Sequence, residues 1–283
     1  MQERCGVSSQ SDHYQVTIVK YGTRTTVKSD VYLNYQLYHE DDAPIEMDYF
    51  FWIIQNEERT VVVDTGFSPK GGASRQRTLL ASIPELFSAL GVNPADAPTV
   101  VLTHAHYDHA GNLNYFPSSP VIIADAEYSF WASRHAQRIM FHHSVDDDEL
   151  AYLEEIEQDG RLTRIRDSMQ VAPGIDVIVV GGHTPGQCVV KVNTVDGVVL
   201  LASDAVHYYE EYERDMLFMS VADLVAMYEG FDRIREMEAA GEIQHIVAGH
   251  DPDTLNRFKP VTGALEGLAA TIGHVESLAG SAP

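Results

Sequence analysis

The chain has 283 residues, 45% hydrophobic and 22% charged, enough for one large domain or two small ones with an ample core. Asp and Glu number 42 against 19 Lys and Arg, a formal net charge of -23. Nucleic acids and anionic membranes require the opposite sign, so the expected partner is a small neutral or cationic molecule. No window approaches the roughly 18 apolar residues of a membrane span. The start, "MQERCGVSSQSDHYQ", lacks the apolar core of a signal peptide, which makes the cytoplasm the expected location. Cys5 and Cys188 cannot build a disulfide framework and sit in no CxxC pair.

In chain order, the first half alternates strand-like runs with turns: "YQVTIVKYG", "YFFWIIQN" and "RTVVVDTGF". Pro84 opens a predicted helix over 84–90 that Gly91 closes. "VVLTHAHYDHAGN" follows, then "SPVIIADAEYSFW", a strand running into a helix. Residues 125–160 read as helical and irregular with an acidic centre, so a helical, lid-like insertion is expected at about 125–165 of a single domain spanning 1–283. Strands return in "IDVIVVGGHTPG", "QCVVKVN" and "GVVLLASDA"; an amphipathic helix is predicted over about 221–240, then "IQHIVAGHDPD" and a last helix near 261–279. Strand runs mixed with helices point to sheets covered by helices, an α/β class.

One event repeats along this string. Val100–Leu102 reads as a buried strand that runs into His104, His106, Asp108 and His109. If the extended geometry persists, His104 and His106 point to the same side. "VIVVGGH" ends in His183, "VVLLASD" in Asp204, "HIVAGH" in His250 and "TVVVD" in Asp64. Strand ends of an α/β sheet converge on one edge, where sites are assembled, so five histidines and two aspartates far apart in the chain can meet. Singly, a strand-end Asp caps turns and a lone His is ordinary; as a set they read as a metal site.

"HAHYDH", "GGHTPGQ", "LASDA" and "AGHDP", with "VVVDTG" upstream, resemble the metallo-β-lactamase superfamily, most closely its N-acyl homoserine lactonase branch. The resemblance implies an αβ/βα sandwich, an α/β four-layer fold with two sheets face to face and helices outside. It also implies that His104, His106 and His183 hold one metal, that Asp108, His109 and His250 hold a second, and that Asp204 bridges them. Asp64 would orient a ligand from behind. Nitrogen and oxygen donors without thiolate suit zinc, with iron, manganese or cobalt also compatible.

Two divalent cations sharing a water would make hydroxide available near neutrality, since one zinc lowers water's pKa to about 7. Their four positive charges are offset by two aspartates and one hydroxide, which leaves the centre electrophilic. The implied reaction is opening of a small-molecule lactone by that hydroxide, with Asp108 also passing a proton to the departing atom. The lactonase branch carries a tyrosine three residues after the bridging aspartate; here that place holds His207, followed by Tyr208 and Tyr209. His207 or Tyr208 would take the tyrosine's role against the carbonyl oxygen, or pack beneath the site.

Phe130, Trp131, Met140, Phe141, Met216, Phe218 and Met219 are candidates for apolar pocket walls, or for core or dimer interface, and a homodimer is left open. His142 and His143 before "DDDE" imitate a second metal site, but a solvated helix start accounts for them. The alternative functions are a thioesterase of glyoxalase II type and a hydrolase of another small ester or cyclic amide.

Overall fold

The apolar run Tyr49–Ile54 shows no strict polar alternation, so as a strand it needs cover on both faces. The computed structural model, which describes residues 12–273, supplies that cover. The elements in chain order begin with β1 (Gln15–Val27), α1 (Lys28–Val31), β2 (Pro44–Gln55), β3 (Thr60–Val63), α2 (Pro69–Ser74), β4 (Thr78–Leu79) and α3 (Ile83–Ala89). Then come β5 (Thr99–Val101), α4 (Tyr107–Ala110), β6 (Val121–Ala124), α5 (Asp125–Trp131), α6 (Ile139–His142), α7 (Asp147–Gln158) and β7 (Leu162–Ile165). The second half holds β8 (Ser168–Ala172), β9 (Ile175–Val179), β10 (Cys188–Thr194), β11 (Gly197–Ser203), α8 (Tyr209–Arg214), α9 (Leu224–Ala239), β12 (His245–Ala248), β13 (Lys259–Pro260) and β14 (Ala269–Ile272).

One sheet runs β13-β14-β1-β2-β3-β5-β6-β7, with β4 added to β1; the other runs β12-β11-β10-β9-β8. Their facing sides interleave Phe50, Trp52, Ile54, Val63 and Val101 with Val177, Val190, Val192, Leu201 and Val247. The alternate residues Phe51, Ile53, Val62 and Val100 face outward and meet Leu86 and Phe87 of α3 and Leu153 and Ile156 of α7. On the far side, Val189, Leu200 and Ala202 meet Phe231, Ile234 and Met237 of α9. The layers are therefore helix, sheet, sheet, helix, the αβ/βα sandwich.

Local signals match their elements. Ser82 precedes α3, Pro84 lies in its first turn, and Gly91 follows with φ +69°. Asp223 caps α9 by accepting from the Val225 and Ala226 amides, and the helix buries Met227, Gly230, Phe231, Ile234 and Met237 at helical spacing.

The expected last helix near 261–279 is corrected over its described part. Residues 269–272 form β14, which pairs antiparallel with β1 (Val16 opposite Ile272, Val19 opposite Ala269). The exposed edge of β1 offers backbone partners that outweigh local helix preference. The remainder of that expected helix, and Cys5, lie outside the described residues. Cys188 is buried and unpaired. Among the described residues, no helix is long and apolar enough to cross a membrane.

Candidate metal centre

Strands β3, β5, β6 and β7 run parallel, as do β11 and β12, so their C-terminal ends bring loops to one edge. The β5 strand stops at Val101, and extended geometry does not continue through His104 to His106 as the sequence suggested. His106 instead stands at the N-cap of α4, whose single turn carries Asp108 and His109. The chain leaves β3 and β11 through left-handed residues, Asp64 at φ +61° and Ser203 at φ +46°. Such backbone costs on the order of 1 kcal/mol per residue, and here it turns the Asp64 and Asp204 carboxylates into the cleft. Gly249 admits this turn: a Cβ there would lie 2.5 Å from the Ser203 carbonyl and 3.0 Å from Asp204 Oδ1.

Two groups of donor atoms result. His104, His106, His183 and Asp204 offer atoms within 4.8 Å of one another, as do Asp108, His109 and His250. Asp204 stands between them. Its Oδ2 lies 3.3 Å from His183 Nε2 and 3.7 Å from His104 Nε2. Its Oδ1 lies 3.3 Å from His109 Nε2 and 3.2 Å from His250 Nε2. His106 presents Nδ1, 2.9 Å from His183 Nε2. The Asp108 carboxylate is set further back, 4.0 Å from His109 Nε2 and 3.9 Å from His250 Nε2.

The outer ring nitrogens are held by fixed groups, which orients the inner ones. His109 Nδ1 meets Asp64 Oδ2 at 2.7 Å; His183 Nδ1 meets the Ser220 carbonyl and His250 Nδ1 the Asp48 carbonyl, each at 2.7 Å. Asp64 in turn accepts from the Thr103 amide at 2.8 Å and hydroxyl at 2.7 Å. Burial is the largest cause pushing His104, His106 and His183 down, His183 to about 3, so these rings are neutral as ligands must be. Burial works against ionisation of both His109 and Asp204, yet the surrounding carboxylates raise His109 well above its usual range, and His250, His109, His207 and His104 hold Asp204 well below its own.

Two buried carboxylates went unnoticed in the sequence. Glu127 of α5 accepts from the Ala105 amide (3.0 Å), the Gly186 amide (3.0 Å) and Trp131 Nε1 (2.7 Å), tying the loop after β5 to the loop after His183. Nothing in "ADAEYSFW" marks it. Glu211 accepts from the His207 amide (2.7 Å), His207 Nδ1 (3.0 Å) and the Phe218 amide (3.0 Å). Its i+4 spacing from His207 was the available signal.

His207 is fully buried, stacked on Phe218 at 3.8 Å, with Nε2 3.3 Å from Asp204 Oδ2. Tyr208 is placed otherwise than expected: its hydroxyl donates to the Glu46 carbonyl at 3.1 Å, because the extended backbone at the start of α8 turns the ring from the cleft toward Tyr32. Of the candidate wall residues, Phe130, Trp131, Met140 and Phe141 line a pocket with His106, His183 and Val221. Met216 is instead buried core, Phe218 packs on His207, and Met219 is 46% exposed. His142 pairs with Asp147 at 3.2 Å, and His143 Nδ1 meets the Ile139 carbonyl at 2.9 Å.

His104 Nε2, His109 Nε2 and Asp204 Oδ1 are buried without hydrogen-bond partners. Orphaned polar atoms of this kind cost about 1–3 kcal/mol each, and cations at the centres of the two groups would satisfy them. The donor set thus fits a pair of divalent metals.

Comparison with known proteins agrees. The family model described as "Metallo-beta-lactamase superfamily" matches residues 48–245, from β2 to the start of β12. An N-acyl homoserine lactonase of Bacillus sp is 25% identical over 223 residues, 73% of this chain and 82% of the relative. The crystal structure of a quorum-quenching N-acyl homoserine lactone lactonase has a TM-score of 0.70 at 21% identity, covering 84% of this chain and 92% of that one. AidC, described as a dizinc quorum-quenching lactonase, has a TM-score of 0.62 at 17% identity, covering 93% and 99%. Those two structures speak for the fold, and the sequence match places the chain: it belongs to the metallo-β-lactamase superfamily.

Proposed function

We propose that the protein is a dinuclear metal-dependent hydrolase that opens a small-molecule lactone. The observation carrying this reading is Asp204, whose carboxylate stands between the two groups of imidazoles, 3.2–3.7 Å from His104, His183, His109 and His250. His104, His106 and His183 would hold one metal, and Asp108, His109 and His250 the other. The curated relatives acting on N-acyl homoserine lactones support the lactone, and the dizinc neighbour supports zinc. When bound, the metals supply an activated water and polarise the carbonyl to be attacked. Asp108, set back from both neighbouring imidazoles, would take up the proton released by the attacking water and pass it to the leaving ring oxygen as the acyl C–O bond breaks. The helices between β6 and β7 supply the apolar wall of this pocket through Phe130, Trp131 and Phe141, against which an apolar part of the substrate would pack.

A pH-indicator assay over lactones, esters, thioesters and lactams tests the reading. Lactone opening is expected to disappear on chelation and to return with added zinc. Activity indifferent to chelation, or a preference for thioesters, would defeat it.

His207 is assigned a positioning role: Glu211 fixes its ring, and its buried Nε2, without a hydrogen-bond partner, points at Asp204 Oδ2 from 3.3 Å. His207→Ala is expected to weaken metal affinity about 10–100-fold, read by competition with a chromophoric chelator, while activity at saturating metal changes far less. Unchanged metal affinity with a collapsed kcat would instead identify a direct contact with the substrate oxygen.

A further inference from the structure

In so acidic a chain, arginines find carboxylates: Arg59, Arg75, Arg161 and Arg164 each pair with one. Among the described residues, no carboxylate pairs with the half-buried Arg24 or Arg77. Arg77 gives Nε to the Tyr107 phenol at 3.2 Å and Nη1 to the Arg75 carbonyl at 2.6 Å. Arg24 Nε is buried with no hydrogen-bond partner at all. β1 and β4 pair antiparallel with Thr23 opposite Thr78, and Arg24 and Arg77 are the residues that flank this last pair. Both act on the Tyr49 phenol, which places both guanidiniums near it. Like charges brought near one group repel each other, and an unsatisfied buried donor is costly, so the arrangement calls for an anion.

Its location says which anion. Arg24 lies opposite Met47, two positions from the Gly22–Tyr49 pair, so it shares a sheet face with Tyr49. The Tyr49 ring packs edge-on against His250 at 5.1 Å with its hydroxyl on Met47 Sδ at 3.7 Å, while the phenol of Tyr107, the residue before Asp108, accepts from Arg77. The two guanidiniums therefore lie near the buried Tyr49 and Tyr107, on the Asp108–His250 side of the centre. The apolar pocket is at the other end, against His106 and His183. A substrate crossing the centre would meet the apolar wall at one end and the cationic groups at the other.

We propose that Arg24 and Arg77 form a subsite for a carboxylate carried by the substrate, so that the preferred substrate is a lactone bearing a free carboxylate outside the ring. This rests on the lactonase reading and deepens it. A planar carboxylate matches the guanidinium fork, and the ring carbonyl of the same molecule would lie toward Asp204.

The test compares 5-oxotetrahydrofuran-2-carboxylate with its neutral carboxamide on the metal-loaded enzyme, with γ-butyrolactone as a third substrate. The carboxylate is expected to be favoured about tenfold or more in kcat/KM, chiefly through KM, as charge-assisted hydrogen bonds allow. Arg24→Gln and Arg77→Gln should each bring that ratio toward one, and Arg24→Lys should keep part of it. Equal use of carboxylate and carboxamide, or a preference that survives both glutamine variants, overturns the subsite while lactone opening itself stands. If no lactone is opened, the lactonase reading fails instead. Calorimetric binding of the carboxylate then decides: weaker binding by both glutamine variants supports the subsite, and unchanged binding overturns it.

Discussion

Asp204→Ala is expected to leave the purified protein with fewer than two metals per chain and to lower kcat/KM on the order of a thousandfold or more, since metal-activated water is the proposed nucleophile. Asp204 reaches both groups of imidazoles, with Oδ2 near His104 and His183, Oδ1 near His109, and both oxygens 3.2–3.3 Å from His250 Nε2. Among the described residues, neither neighbouring aspartate can take its place. Asp108 reaches only the second group, from 3.9–4.0 Å, and Asp64 is spent on His109 Nδ1 and Thr103. Removing Asp204 would also delete the negative charge that offsets the repulsion between two cations held close together. Elemental analysis together with the lactone assay checks this, and a variant that keeps both metals and ordinary turnover would refute the bridging role.

Glu127→Ala is expected to be among the most destabilising single changes in the chain. The carboxylate is fully buried and accepts from two backbone amides and the Trp131 indole. Truncation leaves three buried donors without an acceptor, at about 1–3 kcal/mol each before relaxation. Breaking a buried charged network costs roughly 3–5 kcal/mol, which for a domain of this size means a fall in Tm of about 10 °C or more. The donors cannot turn to water easily: the Gly186 backbone is packed so tightly on Glu127 that a Cβ there would lie 2.3 Å from the Glu127 amide. Glu127→Gln keeps one acceptor oxygen and should lose less. Because Ala105 lies between His104 and His106, metal affinity should fall along with stability. Thermal unfolding with and without zinc measures both effects, and a loss below about 1 kcal/mol would show that the clamp does not hold the loops.

The site was unevenly legible. His104, His106, Asp108, His109, His183, Asp204 and His250 stood out because each follows a β-branched apolar run, and strand ends of such folds gather at one edge. The route was less direct than the pattern implied, since β5 ends at Val101 and His106 reaches the cleft from a helix start. Tyr208 and His207 are adjacent in sequence yet turn opposite ways, one to the Glu46 carbonyl and one to Asp204. Glu127 was invisible, because an acidic residue early in a helix is ordinary until its burial is known. The same limit applied to Met216, which reads like a pocket wall and is core.

From the sequence alone came the classes of element, the identity of the metal-capable side chains and the acid balance that disfavours nucleic-acid partners. These depend on composition and on periods of two or 3.6 residues, which are local. Tertiary structure decided which oxygen of Asp204 faces which imidazoles and which ring nitrogen each histidine turns inward. It also decided that residues 269–272 join β1 as a strand and that β4 pairs with β1 next to Arg24 and Arg77. Those outcomes are set by pairing register and by burial between segments distant in the chain, where hydrogen-bond demand outweighs local preference.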